Sequence, residues 1–179
     1  KLLAAVCIDA VPEKDRGPLP MYYLAWFASL QKDSEAAKAW LSRAAVTYRD
    51  FVFPSRPEEL EVLGYALREN PGDAHAHLHL GNLYAHLGRP AEAVDHWQKA
   101  VDLKPSLSVA HRNLGLYAWA VGNDLPKAEQ CYRRAIDARP KDQTLYRDLA
   151  EILMAQTKRP AAIKLLESMP SDGLRRAEI

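Results

Sequence analysis

A chain of 179 residues with 48% hydrophobic content can bury a real core, either as one ordinary domain or as a row of helical hairpins. Its 24 basic and 23 acidic residues leave a formal net charge of +1, which removes any electrostatic case for a nucleic-acid or acidic-membrane partner. Cys7 and Cys131 stand far apart and in no ligand-like spacing, so neither a disulfide framework nor a zinc knuckle is supported.

Residues 1–16 read as the end of a preceding helix, stopped by Pro12, and a charged connector. The apolar run from Leu2 to Cys7 is too short for a signal peptide, whose core needs roughly 7 to 15 residues. No stretch approaches the ~20 apolar residues of a membrane helix, so no membrane partner is expected. The missing initiator Met and the charged run Leu174 to Ile179 are expected of a segment cut from a longer chain, and a cytoplasmic location is the expectation.

Residues 17–48 form the first predicted hairpin. Met21-x2-Leu24-Ala25-x2-Ala28 supplies one apolar face and Ala37-x3-Leu41-x2-Ala44 the other, with Asp33 and Ser34 as the turn and N-cap signal. Residues 49–73 break the pattern: Phe51-Val52-Phe53-Pro54 is too short for a first helix, whereas Glu59, Leu63 and Ala66 keep the spacing of a second helix. The expectation is a half-repeat in which Phe51 and Phe53 plug the gap.

Residues 74–107 give the clearest unit: His77-x2-Leu80-Gly81-x2-Tyr84, then Gly88, then Ala93-x3-Trp97-x2-Ala100, closed by Pro105. Gly81 and Ala93 lack the bulk that would keep two helices apart, and Leu80, Tyr84 and Trp97 fill the space around that approach. Residues 108–142 repeat it, His111, Leu114 and Gly115 lying 34 residues on and Ala128, Tyr132 and Ala135 lying 35 on, so one residue is inserted in the turn at Gly122 to Pro126. Residues 143–170 carry a divergent copy, Tyr146-x2-Leu149-Ala150 with Ala162-x3-Leu166-x2-Met169, and residues 171–179 are expected to start a further helix.

This ordered set of large, small and breaker residues resembles the tetratricopeptide repeat (TPR), a helix-turn-helix unit of about 34 residues. The resemblance implies a single all-α domain, a right-handed TPR superhelix or α-α solenoid of about four hairpins plus a half-repeat. It also implies a non-catalytic interaction or scaffold module, whose first helices line a groove for a protein, a peptide or a neighbouring domain of the same chain.

On the first helices, the positions outside the packing slots are Tyr22 and Trp26, then His75, His79, Asn82 and His86, then Arg112 and Trp119, then Arg147 and Glu151. Together they describe an amphipathic groove with aromatic walls and two guanidinium groups, suited to a peptide bearing an acidic group. In the TPR subfamily that clamps acidic chaperone termini, Lys and Asn are expected where Tyr22 and Trp26 stand, a departure that speaks against that ligand. His75, His79 and His86 share one helical face at a spacing that can chelate a metal or sense pH, although no third protein ligand is apparent and ordinary groove residues are the plainer reading. No metal and no cofactor is therefore assigned. Ala76 rules out an HExxH site, and His77 and His111 occupy an aromatic packing slot.

No phosphate loop, nucleophile elbow or paired carboxylates can be identified, so this segment is not expected to be an enzyme. A softer resemblance, carried by Leu19 to Leu24, Phe51 to Arg56 and Arg112 to Gly115, is to the TPR portion of large bacterial proteins with a preceding β-rich, carbohydrate-related domain. It implies the alternative role of an interdomain or oligomerisation part.

Overall fold

The computed structural model describes residues 17–47 and 52–170, and the described residues contain helices and no strand. The helices are α1 (Pro18–Leu30), α2 (Ser34–Val46), α3 (Glu59–Glu69), α4 (Ala74–His86), α5 (Pro90–Leu103), α6 (Ser108–Ala120), α7 (Leu125–Ala138), α8 (Gln143–Ala155) and α9 (Arg159–Glu167). The readings of residues 1–16 and 171–179, and of Phe51, lie outside the described residues. The chain divides after Lys104 into two compact units. In the N-terminal unit α1 pairs with α2 and α4 with α5, while α3 packs against both α1 and α4; in the C-terminal unit α6 pairs with α7, α7 with α8 and α8 with α9. This is the all-α architecture of a TPR solenoid.

Each hairpin turns through one residue in the left-handed region, at Lys32, Gly88, Asn123 and Thr157. A backbone bond then closes each turn: Asp33 N–H to the Ala28 carbonyl, Arg89 to Tyr84 and Lys158 to Leu153 all span five residues. In the α6–α7 turn the closing bond runs from Asp124 to Ala118 and spans six. The inserted residue is taken up there, and the two helices keep their register.

The close approach of paired helices is set by matched sizes. A Cβ on Gly81 would meet Trp97 Cδ1 at 2.6 Å, and one on Gly115 would meet Tyr132 Cδ2 at 2.6 Å. The same two slots in the first hairpin hold Ala25 and Leu41, both buried. A large ring faces a glycine and a leucine faces an alanine, so the sum stays near constant. The last hairpin is looser: Ala150 and Ala162 are buried, but Leu166 is exposed.

The half-repeat keeps its second helix, with Glu59, Leu63 and Ala66 all buried. The preceding segment is not plugged by Phe53, which is 67% exposed. Instead, Glu59 Oε2 accepts from the backbone N–H groups of Ser55 at 2.7 Å and Arg56 at 2.9 Å, and Pro54 is buried. The irregular chain needs its backbone donors satisfied more than it needs ring volume, and a carboxylate at the start of α3 can do that.

The aromatic slot of three repeats forms one recurring clamp. His77 Nε2 donates to the Pro71 carbonyl at 3.2 Å, His111 Nε2 to the Pro105 carbonyl at 2.9 Å, and Tyr146 Oη to the Pro140 carbonyl at 2.9 Å. Each reaches six residues back and anchors the linker that precedes its hairpin.

Candidate functional site

In the N-terminal unit, α4 carries His75, His79, Asn82 and His86, and the structure separates them. His75 is 3% exposed and His79 is 2% exposed, whereas His86 lies at the surface. The expectation of a shared solvent-facing histidine row is therefore corrected, because α1 and α2 cover that face: Tyr22 of α1 meets the His79 ring edge-on at 6.4 Å, and His75 reaches Ala45 of α2. Asn82 accepts from Trp97 Nε1 at 2.9 Å and so supports the hairpin. Tyr22 is fully buried, while Trp26 is half-buried beside Phe27, their rings 5.2 Å apart.

The buried face is a polar network. Tyr22 Oη donates to Asp73 Oδ2 at 2.8 Å, and Asp73 Oδ1 caps α4 by accepting from the N–H groups of His75 and Ala76, each at 3.0 Å. His75 Nδ1 donates to the Ala45 carbonyl at 2.9 Å, which leaves Nε2 as an acceptor for the Lys104 ammonium at 3.2 Å. Both nitrogens of His75 are thus engaged, and the chelating face proposed for His75, His79 and His86 does not form. Among the described residues no group of three or more metal-ligating side chains comes together.

Burial, and then Lys104, push the His75 ring below its ordinary titration range. Burial, and then His75, take His79 down to about 3, so it is neutral at physiological pH. Neither ring nitrogen of His79 has a hydrogen-bond partner among the described residues. Burial, reinforced by Asp73, pushes the Tyr22 hydroxyl far above its usual range.

A second histidine pair, His77 with His96, was not among the sequence expectations. His96 Nδ1 lies 2.9 Å from His77 Nδ1. Since His77 Nε2 is the donor to Pro71, its Nδ1 accepts, and His96 donates. The His96 ring also stacks on Tyr84 at 5.4 Å, with the Arg89 guanidinium 4.6 Å from the Tyr84 centroid. Burial, and then His77, lower His96 to about 4. The signal available in the sequence was that His96 precedes Trp97 on the helix paired with α4.

In the C-terminal unit the expected positions stay accessible. Arg112, Arg147 and Glu151 are exposed, Trp119 is half-buried, and the neighbouring Leu116 and Met154 are 44% and 50% exposed. Asp148 of α8 holds this face together: its Oδ2 accepts from Tyr132 Oη of α7 at 3.1 Å and lies 3.6 Å from Arg112 Nε of α6. Two helices that each carry a guanidinium group and accessible apolar side chains further along can receive a ligand that is part acidic and part apolar. An open depression at the start of α7, lined by Asp124, Lys127, Glu129 and Arg133, has its central carboxylate occupied, with Glu129 paired to Arg133 and to Lys158, each at 2.8 Å.

Comparison with known proteins follows the hairpins. The human and mouse Protein O-mannosyl-transferase TMTC3 are each 26% identical over 165 residues; the match covers 81% of this chain but only 18% and 17% of theirs. A crystal structure of MamA superposes with a TM-score of 0.59 at 17% identity, covering 93% of this chain and 82% of MamA. Another MamA structure gives 0.59 at 21% identity, covering 85% and 90%, and MamA from Desulfovibrio magneticus RS-1 gives 0.54 at 16%, covering 85% and 73%. At these identities the likeness is one of fold. Tetratricopeptide repeat models match residues 72–141 and 112–172, together more than half of the sequence, and they fall on the hairpins whose glycine–ring pairs and proline clamps are described above. The chain therefore belongs to the tetratricopeptide repeat family.

Proposed function

We propose that this chain is a non-catalytic interaction scaffold and that its C-terminal unit receives a partly acidic, partly apolar peptide on the face made by Arg112, Leu116, Trp119, Arg147, Glu151 and Met154. The observation that supports this reading is the exposure of Arg112, Leu116, Arg147, Glu151 and Met154 on α6 and α8, with Trp119 half-buried beside them in sequence. In the N-terminal unit the predicted groove positions Tyr22, His75 and His79 are committed to packing, which leaves Trp26 and His86 as the more accessible members of that set.

Peptides selected from a random displayed library on the 179-residue chain are expected to combine acidic and apolar residues. Their affinity is expected to fall about tenfold or more in Trp119→Ala or Arg147→Glu and to stay unchanged in Gln98→Ala. Equal binding by Trp119→Ala and the parent would place the site elsewhere.

A second reading rests on the match to TMTC3, of which the matched region is 18% of a larger protein named for sugar transfer. There the chain would position a catalytic portion, and its removal from a full-length parent would reduce transfer without touching the chemistry.

A further inference from the structure

We infer that the partner taken by the C-terminal unit is an α-helix lying along α6 and α8, which presents an acidic residue, a basic residue four positions on and an apolar residue seven positions on. This rests on the peptide-binding reading above and gives that peptide a conformation and a register. Arg112, Leu116 and Trp119 of α6 are matched one repeat later by Arg147, Glu151 and Met154 of α8, each 35 residues on, as the packing slots His111 and Gly115 are matched by Tyr146 and Ala150. The two helices run in the same direction. Their starts are joined where Arg112 Nε lies 3.6 Å from Asp148 Oδ2. Both of their ends meet the start of α7, through Asp124 N–H to the Ala118 carbonyl at 2.8 Å and Gln156 Nε2 to the Leu125 carbonyl at 3.0 Å.

The matched positions form three levels along the helix axes. The first holds the guanidinium groups of Arg112 and Arg147 with the Asp148 carboxylate, which also accepts from Tyr132 Oη and offsets one of the two positive charges. The second pairs Leu116 with Glu151, and the third pairs Trp119 with Met154. Steps of four and three residues put these levels about 6 and 4.5 Å apart. An extended strand repeats a face only every second residue, about 6.8 Å, and cannot address both steps, whereas a helix brings its own positions four and seven residues on into one stripe. Complementarity then sets the chemistry. A carboxylate meets the guanidinium level, a lysine lays its stem on Leu116 while its ammonium meets Glu151, and a leucine-like side chain meets Trp119 and Met154. A glutamate followed four residues later by a lysine also supports the partner's own helix, which fixes the order from its N-terminus.

The test uses the 179-residue chain and three fluorescein-labelled, alanine-based peptides of about 16 residues, long enough to form a helix. The first carries glutamate, lysine and leucine at the stated spacing, the second exchanges the glutamate and the lysine, and the third is the first with a proline in its middle. Fluorescence anisotropy is expected to show the first binding about tenfold tighter than either of the others, since the exchange turns two opposite-charge contacts into like-charge ones. Arg147→Glu combined with Glu151→Lys alters two exposed side chains and is expected to reverse the preference between the first two peptides. Equal binding of those two, whether tight or absent, or binding of the proline peptide as tight as the first, would overturn the helical register. If that happens while library-selected peptides still lose affinity in Trp119→Ala, the peptide-binding face stands and only its helical partner falls; if those peptides ignore Trp119 as well, both readings fall.

Discussion

Tyr22 Oη donates to Asp73 Oδ2 at 2.8 Å, joining the middle of α1 to the cap of α4 across 51 residues of chain and the whole half-repeat. The other oxygen of Asp73 caps α4, so one buried carboxylate fixes both the start of a helix and its distance from another. Tyr22→Phe is expected to cost about 1.5–3 kcal/mol, the range for a hydrogen bond to a charged group. Asp73→Ala should cost more, since it also removes the cap and strands a buried hydroxyl. Urea unfolding of both single variants and the double variant should give a coupling energy of about 1 kcal/mol or more, and simple additivity would refute the link.

Overpacking tests the size matching of paired helices. Gly81→Ala should destabilise by about 1–3 kcal/mol, because its methyl would collide with Trp97, and Gly115→Ala should behave alike against Tyr132. Combined with Trp97→Leu, the Gly81→Ala change should be milder than the sum of the two singles, reproducing the alanine–leucine pair of the first hairpin. Thermal melts of the four-member set would check this.

The turns make an opposite prediction. Thr157 sits at φ 61°, where a β-branched residue is strained, and the equivalent position of the central repeat is Gly88 at φ 72°. Thr157→Gly should raise stability by up to about 1 kcal/mol, and Gly88→Ala should lower it by about the same. A shift in the denaturation midpoint at constant slope would show it.

Acid should weaken the N-terminal unit. His75, His77, His79 and His96 are all held neutral by burial, with His96 at about 4 and His79 at about 3, below the ordinary value near 6.5. Below that value the unfolded chain takes protons that the folded chain refuses. Their contribution is therefore complete above about pH 6.5 and is lost progressively as pH falls through the folded values. His79→Leu should be neutral or stabilising at pH 7.5, because it removes two unpartnered nitrogens, and it should flatten the decline toward pH 5. A decline as steep as the parent's would show that His79 is not the buried base described.

The hairpins could be read from the sequence because each packing slot is a steric demand repeated at fixed spacing. Gly81 with Trp97, Gly115 with Tyr132 and the one-residue insertion before α7 all declare themselves in this way, as does the packing role of His77 and His111. The fate of His75 and His79 could not be read so. Periodicity says that they share a face of α4, but whether water or another helix covers that face depends on α1 and α2, joined to it through an irregular half-repeat. Phe53 misled for a related reason. Ring volume suggested a plug, whereas the local problem was unsatisfied backbone donors, which Glu59 resolves.

The proline clamp bears on what kind of side chain its slot will accept. The donor that reaches back is Nε2–H in His77 and His111 and a phenol in Tyr146, and an imidazole keeps that N–H whether or not it gains a second proton. The clamp is thus indifferent to titration, unlike the acceptor nitrogens of His75 and His77. What the position selects is a flat ring with a donor at its far edge, so histidine and tyrosine become interchangeable there, and phenylalanine, equal in shape, would leave the linker untied.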